Sequence, residues 1–214
     1  MATGDIKGFQ QGLLDLGNKL HKEGSTSSSV QEGSVMKQMN TNDTDSIKGS
    51  YSVECYDANG NLKWEDKISN VVTTVGKNEI LDKSFAGSGY TATMYMGLIS
   101  GTSYTSIPVV GNTQAAHGTW NECGATTYGP DYSSGTRVAV AWNAAAAGSK
   151  ASTATQFTIG STANGVTVKG CLISTNNTKQ GTTGILISAG LFTGGDKTVA
   201  TSDILNVTYT AQLT

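Results

Sequence analysis

The sequence predicts a mainly β protein: an antiparallel β-sandwich or jelly-roll-like domain preceded by a short amphipathic helix and an extended N-terminal arm. Three observations carry this expectation. From Ser50 onward, apolar and polar residues alternate in short runs separated by Gly-, Ser- and Asn-rich turns. No helical pattern between these runs could serve as a crossover joining parallel strands, which argues against an α/β architecture. Before residue 50 the composition changes abruptly, first to a helix-periodic stretch and then to a polar one. The chain therefore divides into a helical arm (1–23), a linker rich in Ser, Thr, Asn and Gly (24–49) and a β domain (50–214).

In the arm, Ile6, Phe9, Leu13, Leu16 and Leu20 recur in steps of three and four and form one stripe of a helix. Gly8, Gly12 and Gly17 interrupt it, each costing about 1 kcal/mol relative to Ala. So short and weakened a helix is not stable alone in water and needs a surface to lie on. The stripe fits heptad a and d positions over about two heptads, short of a convincing coiled coil. Docking on a neighbouring subunit is thus favoured over a self-associating bundle, and these five residues are the candidate interaction site. The linker has too few apolar residues to offset its own ordering entropy.

In the β domain, residues 51–56 and 62–68 read as strands joined at Asp57-Ala58-Asn59-Gly60-Asn61, where Asn59-Gly60 predicts a type I′ hairpin turn. Residues 77–85 read as a short helix with Ile80, Leu81 and Phe85 facing inward. Further strands are expected over 91–100, 137–142, 154–159, 165–174, 184–192 and 204–213.

Composition excludes several function classes. Charged residues are 14% of the chain, against about 25% in an average domain. Fourteen Lys and Arg against 16 Asp and Glu leave a net charge of −2, so phosphate neutralisation cannot drive binding and nucleic acid is not an expected partner. No apolar run approaches the ~20 residues of a membrane helix. The opening MATGDIKGFQ lacks a charged region followed by an apolar stretch, so the expectation is a chain made in the cytoplasm without a signal peptide. Cys55, Cys123 and Cys171 are odd in number, widely spaced and without a zinc pattern, and they read as small buried hydrophobes.

Sites for chemistry are sparse. Asp57, Asn59 and Asn61 match the start of a calcium loop, but Leu62 stands where its Gly belongs and Ile68 where its Glu belongs. The hairpin accounts for the same residues without a metal. A Cys123/His117 nucleophile pair has no orienting acid nearby except the adjoining Glu122. His21 reads as solvated, and Glu65 and Asp66 adjoin in a strand and so point to opposite faces. Catalytic residues, metals and cofactors are therefore all expected to be none. The aromatics Trp120, Tyr128, Tyr132 and Trp142 cluster around Pro130 and Arg137. Core and interface packing is the default reading for them, and a surface-recognition loop formed by Trp120, Tyr128 and Tyr132 is the alternative.

Several segments carry a resemblance: Asn70 to Asn78 (NVVTTVGKN), Tyr95-Met-Gly-Leu-Ile99-Ser100, Thr136-Arg137, Ala145-Ala-Ala-Gly-Ser149, Val168-Lys-Gly-Cys-Leu172, Ser188-Ala-Gly-Leu-Phe192 and the closing DILNVTYTAQL from Asp203. Over residues 50–214, outside the arm, the chain resembles small virion structural proteins of tailed bacteriophages. The resemblance implies a non-enzymatic protein of the virion, and families of this type bring no catalytic residues with them. A nearly neutral sandwich with a partner-seeking arm suits a head decoration, or cement, protein on the outer head surface. Its expected partner is the major capsid protein, and the expected state is a homo-oligomer, with a trimer favoured. The runner-up is a tail or head fibre component whose β domain binds a host surface glycan. A phage hydrolase is disfavoured by the missing catalytic constellation.

Overall fold

The computed structural model describes residues 47–85, 93–118, 120–125 and 127–213. The candidate arm residues Ile6, Phe9, Leu13, Leu16 and Leu20 lie outside the described residues, as does nearly all of the linker. Among the described residues there are twelve strands and one helix. In chain order they are β1 (Ile47–Tyr56), β2 (Leu62–Ser69), β3 (Val71–Val72), α1 (Thr74–Phe85), β4 (Tyr95–Ser100), β5 (Asp131–Tyr132), β6 (Val138–Ala139), β7 (Ser149–Ala151), β8 (Thr155–Ser161), β9 (Thr167–Ser174), β10 (Leu186–Leu191), β11 (Lys197–Thr198) and β12 (Ile204–Leu213).

The strands form two antiparallel sheets. One runs β2-β1-β12-β8-β5, with β7 also on β12; the other runs β3-β10-β9-β4-β6, with β11 also on β9. Alternation explains how they meet. Tyr51, Val53 and Cys55 of β1 project to one side and are 0% exposed, while the alternate residues, exposed Ser52 and half-buried Glu54, project to the other. They join Phe157, Leu205 and Val207 of the same sheet and Met96, Leu98, Cys171, Ile173 and Ile187 of the other in one apolar cluster. The mainly β sandwich read from the sequence is the observed fold.

The second sheet is buried on both faces. Ile99 of β4, Leu172 of β9, and Leu186 and Ala189 of β10, where a bulge between Leu186 and Ser188 shifts the alternation, form a separate cluster with Trp120. Trp120 belongs to the long β4–β5 connection, which therefore covers the outer face of this sheet. That is why β4 and β10 read as continuous apolar runs rather than alternating ones.

Several expectations need correction. β1 begins at Ile47, ahead of the expected boundary at Ser50, because Ile47, Lys48 and Gly49 pair with Leu213, Gln212 and Ala211. The β1–β2 turn is not type I′. Its positive φ is at Gly60 (84°) and not at Asn59, Gly60 N–H donates to Asp57 O (3.0 Å), and Asp57 N–H donates to Asn61 O (2.9 Å). This is a three-residue loop built on a type I turn followed by a left-handed glycine. Asp57 Oδ1 stabilises it by accepting from the backbone N–H groups of Asn59 and Asn61, both at 2.8 Å.

Helix α1 starts three residues before the expected 77, since Thr73 caps it: Gly76 N–H donates to Thr73 Oγ1 at 3.0 Å. Its inward face also differs. Leu81 is 49% and Phe85 84% exposed, Ile80 packs against the core edge, and the buried residue is Gly76. The expected strand 137–142 shrinks to Val138–Ala139, and the strand expected over 91–100 begins at Tyr95. The short strands β3, β5, β7 and β11 were not expected at all; each exists through pairing with a longer neighbour. No helix among the described residues is long and apolar enough to cross a membrane.

Candidate functional site

One cleft stands out on the loops that cover the second sheet. It is lined by residues 114–118, Trp120, Asn121, Glu122, Tyr128 and residues 180–182, and its volume is about 570 Å³. Its walls come from the β4–β5 and β9–β10 connections. The backbone between Asn121 and Cys123 runs along β4: Ser100 N–H donates to Asn121 O and Cys123 N–H to Leu98 O, both at 2.8 Å. This pins the connection to the sheet and fixes where Glu122 points.

Glu122 points at Arg137. Arg137 is 1% exposed and grips the carboxylate in a fork, Nε to Oε1 and Nη2 to Oε2, both at 2.9 Å. Its other donors reach Asn176 O (2.7 Å) and Gly181 O (3.1 Å). Glu122 Oε2 also accepts from Gln180 N–H at 2.6 Å, and Gln180 Nε2 donates to Glu122 O at 3.1 Å. The space exists because residue 97 is glycine; a Cβ there would stand 2.4 Å from Glu122 Oε1. One buried ion pair thus ties the segment that runs beside β4, the residue preceding β6 and the β9–β10 connection into one floor.

Trp120 closes that floor. Its ring is fully buried, its Nε1–H donates to Asn112 Oδ1 at 3.2 Å, and His117 stacks on it with ring centroids 4.0 Å apart at 29°. Burial lowers the His117 pKa, which favours the neutral imidazole. Gln114 Nε2 donates to Gly181 O at 3.0 Å, which joins the β4–β5 connection to the β9–β10 connection.

Trp120 and Tyr132 therefore do not form a surface-recognition loop. Both are buried: Trp120 packs against the outer sheet face, and Tyr132 meets Phe157 edge-on in the sandwich core, 5.0 Å between centroids. The Tyr132 hydroxyl donates to Glu122 Oε1 at 3.5 Å, and Lys179 Nζ lies 3.8 Å from the Tyr132 ring centroid and 2.7 Å from Asp131 Oδ1. Of the three aromatics only Tyr128, half-buried, lines the cleft. Sequence reasoning missed Gln114, Asn121, Gln180 and Thr182, whose amides and hydroxyl follow no pattern. Arg137 offered a signal, because an arginine among apolar strand residues in a chain so poor in charge requires a buried acid.

The cysteines are chemically quiet. Burial, then the Glu122 charge, pushes the Cys123 thiol well above the ordinary range, the opposite of what activates a nucleophile. Burial raises Cys55 to about 11 and raises Cys171 as well. None of the three forms a disulfide. Among the described residues no group of three or more His, Cys, Asp or Glu side chains could hold a metal ion.

Comparison with protein-family models, with curated proteins and with solved structures found no match to this chain.

Proposed function

We propose that the protein is a non-catalytic structural component of a tailed-phage virion, a decoration protein that binds the outer head surface and stabilises the shell. The observation that supports this most is the division of labour along the chain. The strands from Ile47 to Leu213 build two sheets around a core of their own. The residues before them carry the stripe Ile6, Phe9, Leu13, Leu16 and Leu20, which has no use except against another surface. The partner in this reading is the major capsid protein, and the protein assembles as a homo-oligomer, with a trimer matching the local three-fold positions of a shell.

Burying each stripe residue is worth on the order of 1.5–3 kcal/mol before the cost of ordering the linker. Repetition around a symmetric shell multiplies whatever surplus remains, so weak individual contacts suffice. The test is decoration of purified heads by the full chain carrying Phe9→Asp and Leu13→Asp. The expected result is a folded protein with sharply reduced head occupancy. Wild-type occupancy would overturn the reading, as would a virion copy number of only a few tens, which belongs to a tail or fibre protein.

A further inference from the structure

Two steps in the sequence join Asn to Gly: Asn59-Gly60 and Asn164-Gly165. An Asn-Gly step is prone to cyclise, because glycine has no Cβ to obstruct the approach of its nitrogen to the asparagine Cγ. Both asparagines are exposed. In both steps the glycine N–H donates to a turn carbonyl, Gly60 to Asp57 O at 3.0 Å and Gly165 to Thr162 O at 3.2 Å. Neither exposure nor that bond separates the two. The asparagine side chains do.

Asn164 is built into its surroundings. Its Nδ2 donates to Ala125 O at 2.6 Å, and its backbone carbonyl accepts from Gly129 N–H at 2.9 Å and Thr102 Oγ1 at 3.1 Å. A Cβ on Gly165 would stand 2.4 Å from Thr102 Oγ1, so this glycine is packed in as well. Asn59 is the reverse. Its backbone N–H is held by Asp57 Oδ1 at 2.8 Å, while its side chain makes no hydrogen bond among the described residues. A Cβ on Gly60 would meet nothing within 4 Å. The remaining bonds of the loop, from Asn61 N–H and Asn61 Nδ2 to the Asp57 carboxylate, bypass the Asn59 side chain altogether.

We infer that Asn59 is a site of spontaneous modification in the folded protein, deamidating through a cyclic imide, and that the fold protects Asn164 from the same reaction. The Gly60 nitrogen gives its proton to solvent hydroxide and bonds to Asn59 Cγ. The Cγ–Nδ2 bond breaks, and its nitrogen leaves as ammonia with a proton taken from water. Water then opens the imide at one carbonyl or the other, which leaves aspartate or isoaspartate at position 59. Either product adds one negative charge beside Asp57 to a chain whose net charge is −2. The loop is held through Asp57, so the product accumulates on folded protein. This inference concerns the β1–β2 loop and does not rest on a place in the virion.

The experiment incubates the full chain in mildly alkaline buffer, folded and in parallel unfolded in urea, and follows both by tryptic mass mapping. Trypsin releases residues 49–63 and 151–169, each with one of the two Asn-Gly steps. In urea both fragments are expected to gain one mass unit at similar rates, since the reacting pair is the same. In the folded protein, 49–63 is expected to gain it at least about ten-fold faster than 151–169, whose reaction waits on breaking the Asn164 hydrogen bonds. Asn59→Ser is expected to abolish the change in 49–63, which excludes Asn61 as its source. Equal rates for the two fragments in the folded chain would overturn the assignment. So would faster change in 151–169, persistence of the change in Asn59→Ser, or a folded 49–63 segment that stays intact while the unfolded chain reacts.

Discussion

At the scale of single residues, the Arg137–Glu122 pair dominates. Two fully desolvated charges stabilise a fold only when both are present and their remaining hydrogen-bond capacity is filled, as it is here by Asn176 O, Gly181 O and Gln180 N–H. Removing one partner strands the other. Arg137→Met is therefore expected to lower unfolding stability by about 3–5 kcal/mol in urea titration. Glu122→Gln is expected to cost a similar amount, because it leaves the buried Arg137 charge unpaired and turns one accepting oxygen into an NH2 that faces donors. The double variant should lose markedly less than the sum of the two, since the penalty of the unpaired charge is then gone. Simple additivity would show that the two side chains act independently.

At the scale of elements, helix α1 shows how packing overrides propensity. Gly76 sits where the helix meets the backbone of β10, and a Cβ added there would lie 2.4 Å from Ile187 O and 2.8 Å from Ile187 Cα. In an exposed helix Gly→Ala gains about 1 kcal/mol. Gly76→Ala is expected instead to lower the melting temperature, measured by circular dichroism, because backbone on both sides of the contact cannot give way. A raised melting temperature would mean that the helix stands further from the sheet. The same contact explains a misreading. Helical periodicity pointed Leu81 and Phe85 inward, but the helix is held through its small first-turn residue, so those two side chains face solvent. Legibility follows the same physics elsewhere. β12 was readable end to end, because it is buried on one face and its outward residues mark each alternation. β5 and β11 were not, since two residues form a strand only when a distant partner lies alongside. The cleft was least readable: its amides converge from connections more than sixty residues apart, and nothing local marks them.

At the scale of the whole molecule, the strands between Ile47 and Leu213 build a core of their own. A chain beginning at Asp45 is expected to unfold in one cooperative thermal transition with a β-type circular dichroism spectrum. A broad melt would show that the arm contributes to the core. Starting at Ser50 instead removes Ile47, Lys48 and Gly49 from their pairing with the end of β12 and is expected to melt lower.

That pairing also sets the order of events during synthesis. β12 comes last among the strands yet lies between β1 and β8, in register with β1 along all ten of its residues. A ribosome delivers β1 first and β12 only after every other strand has emerged. Until then β1 has β2 on one side and lacks its hydrogen-bonding neighbour on the other. The central position of the first sheet, between β1 and β8, is therefore filled by the last of the described strands. The first sheet can be complete only once the segment from Ile204 onward lies between those two strands.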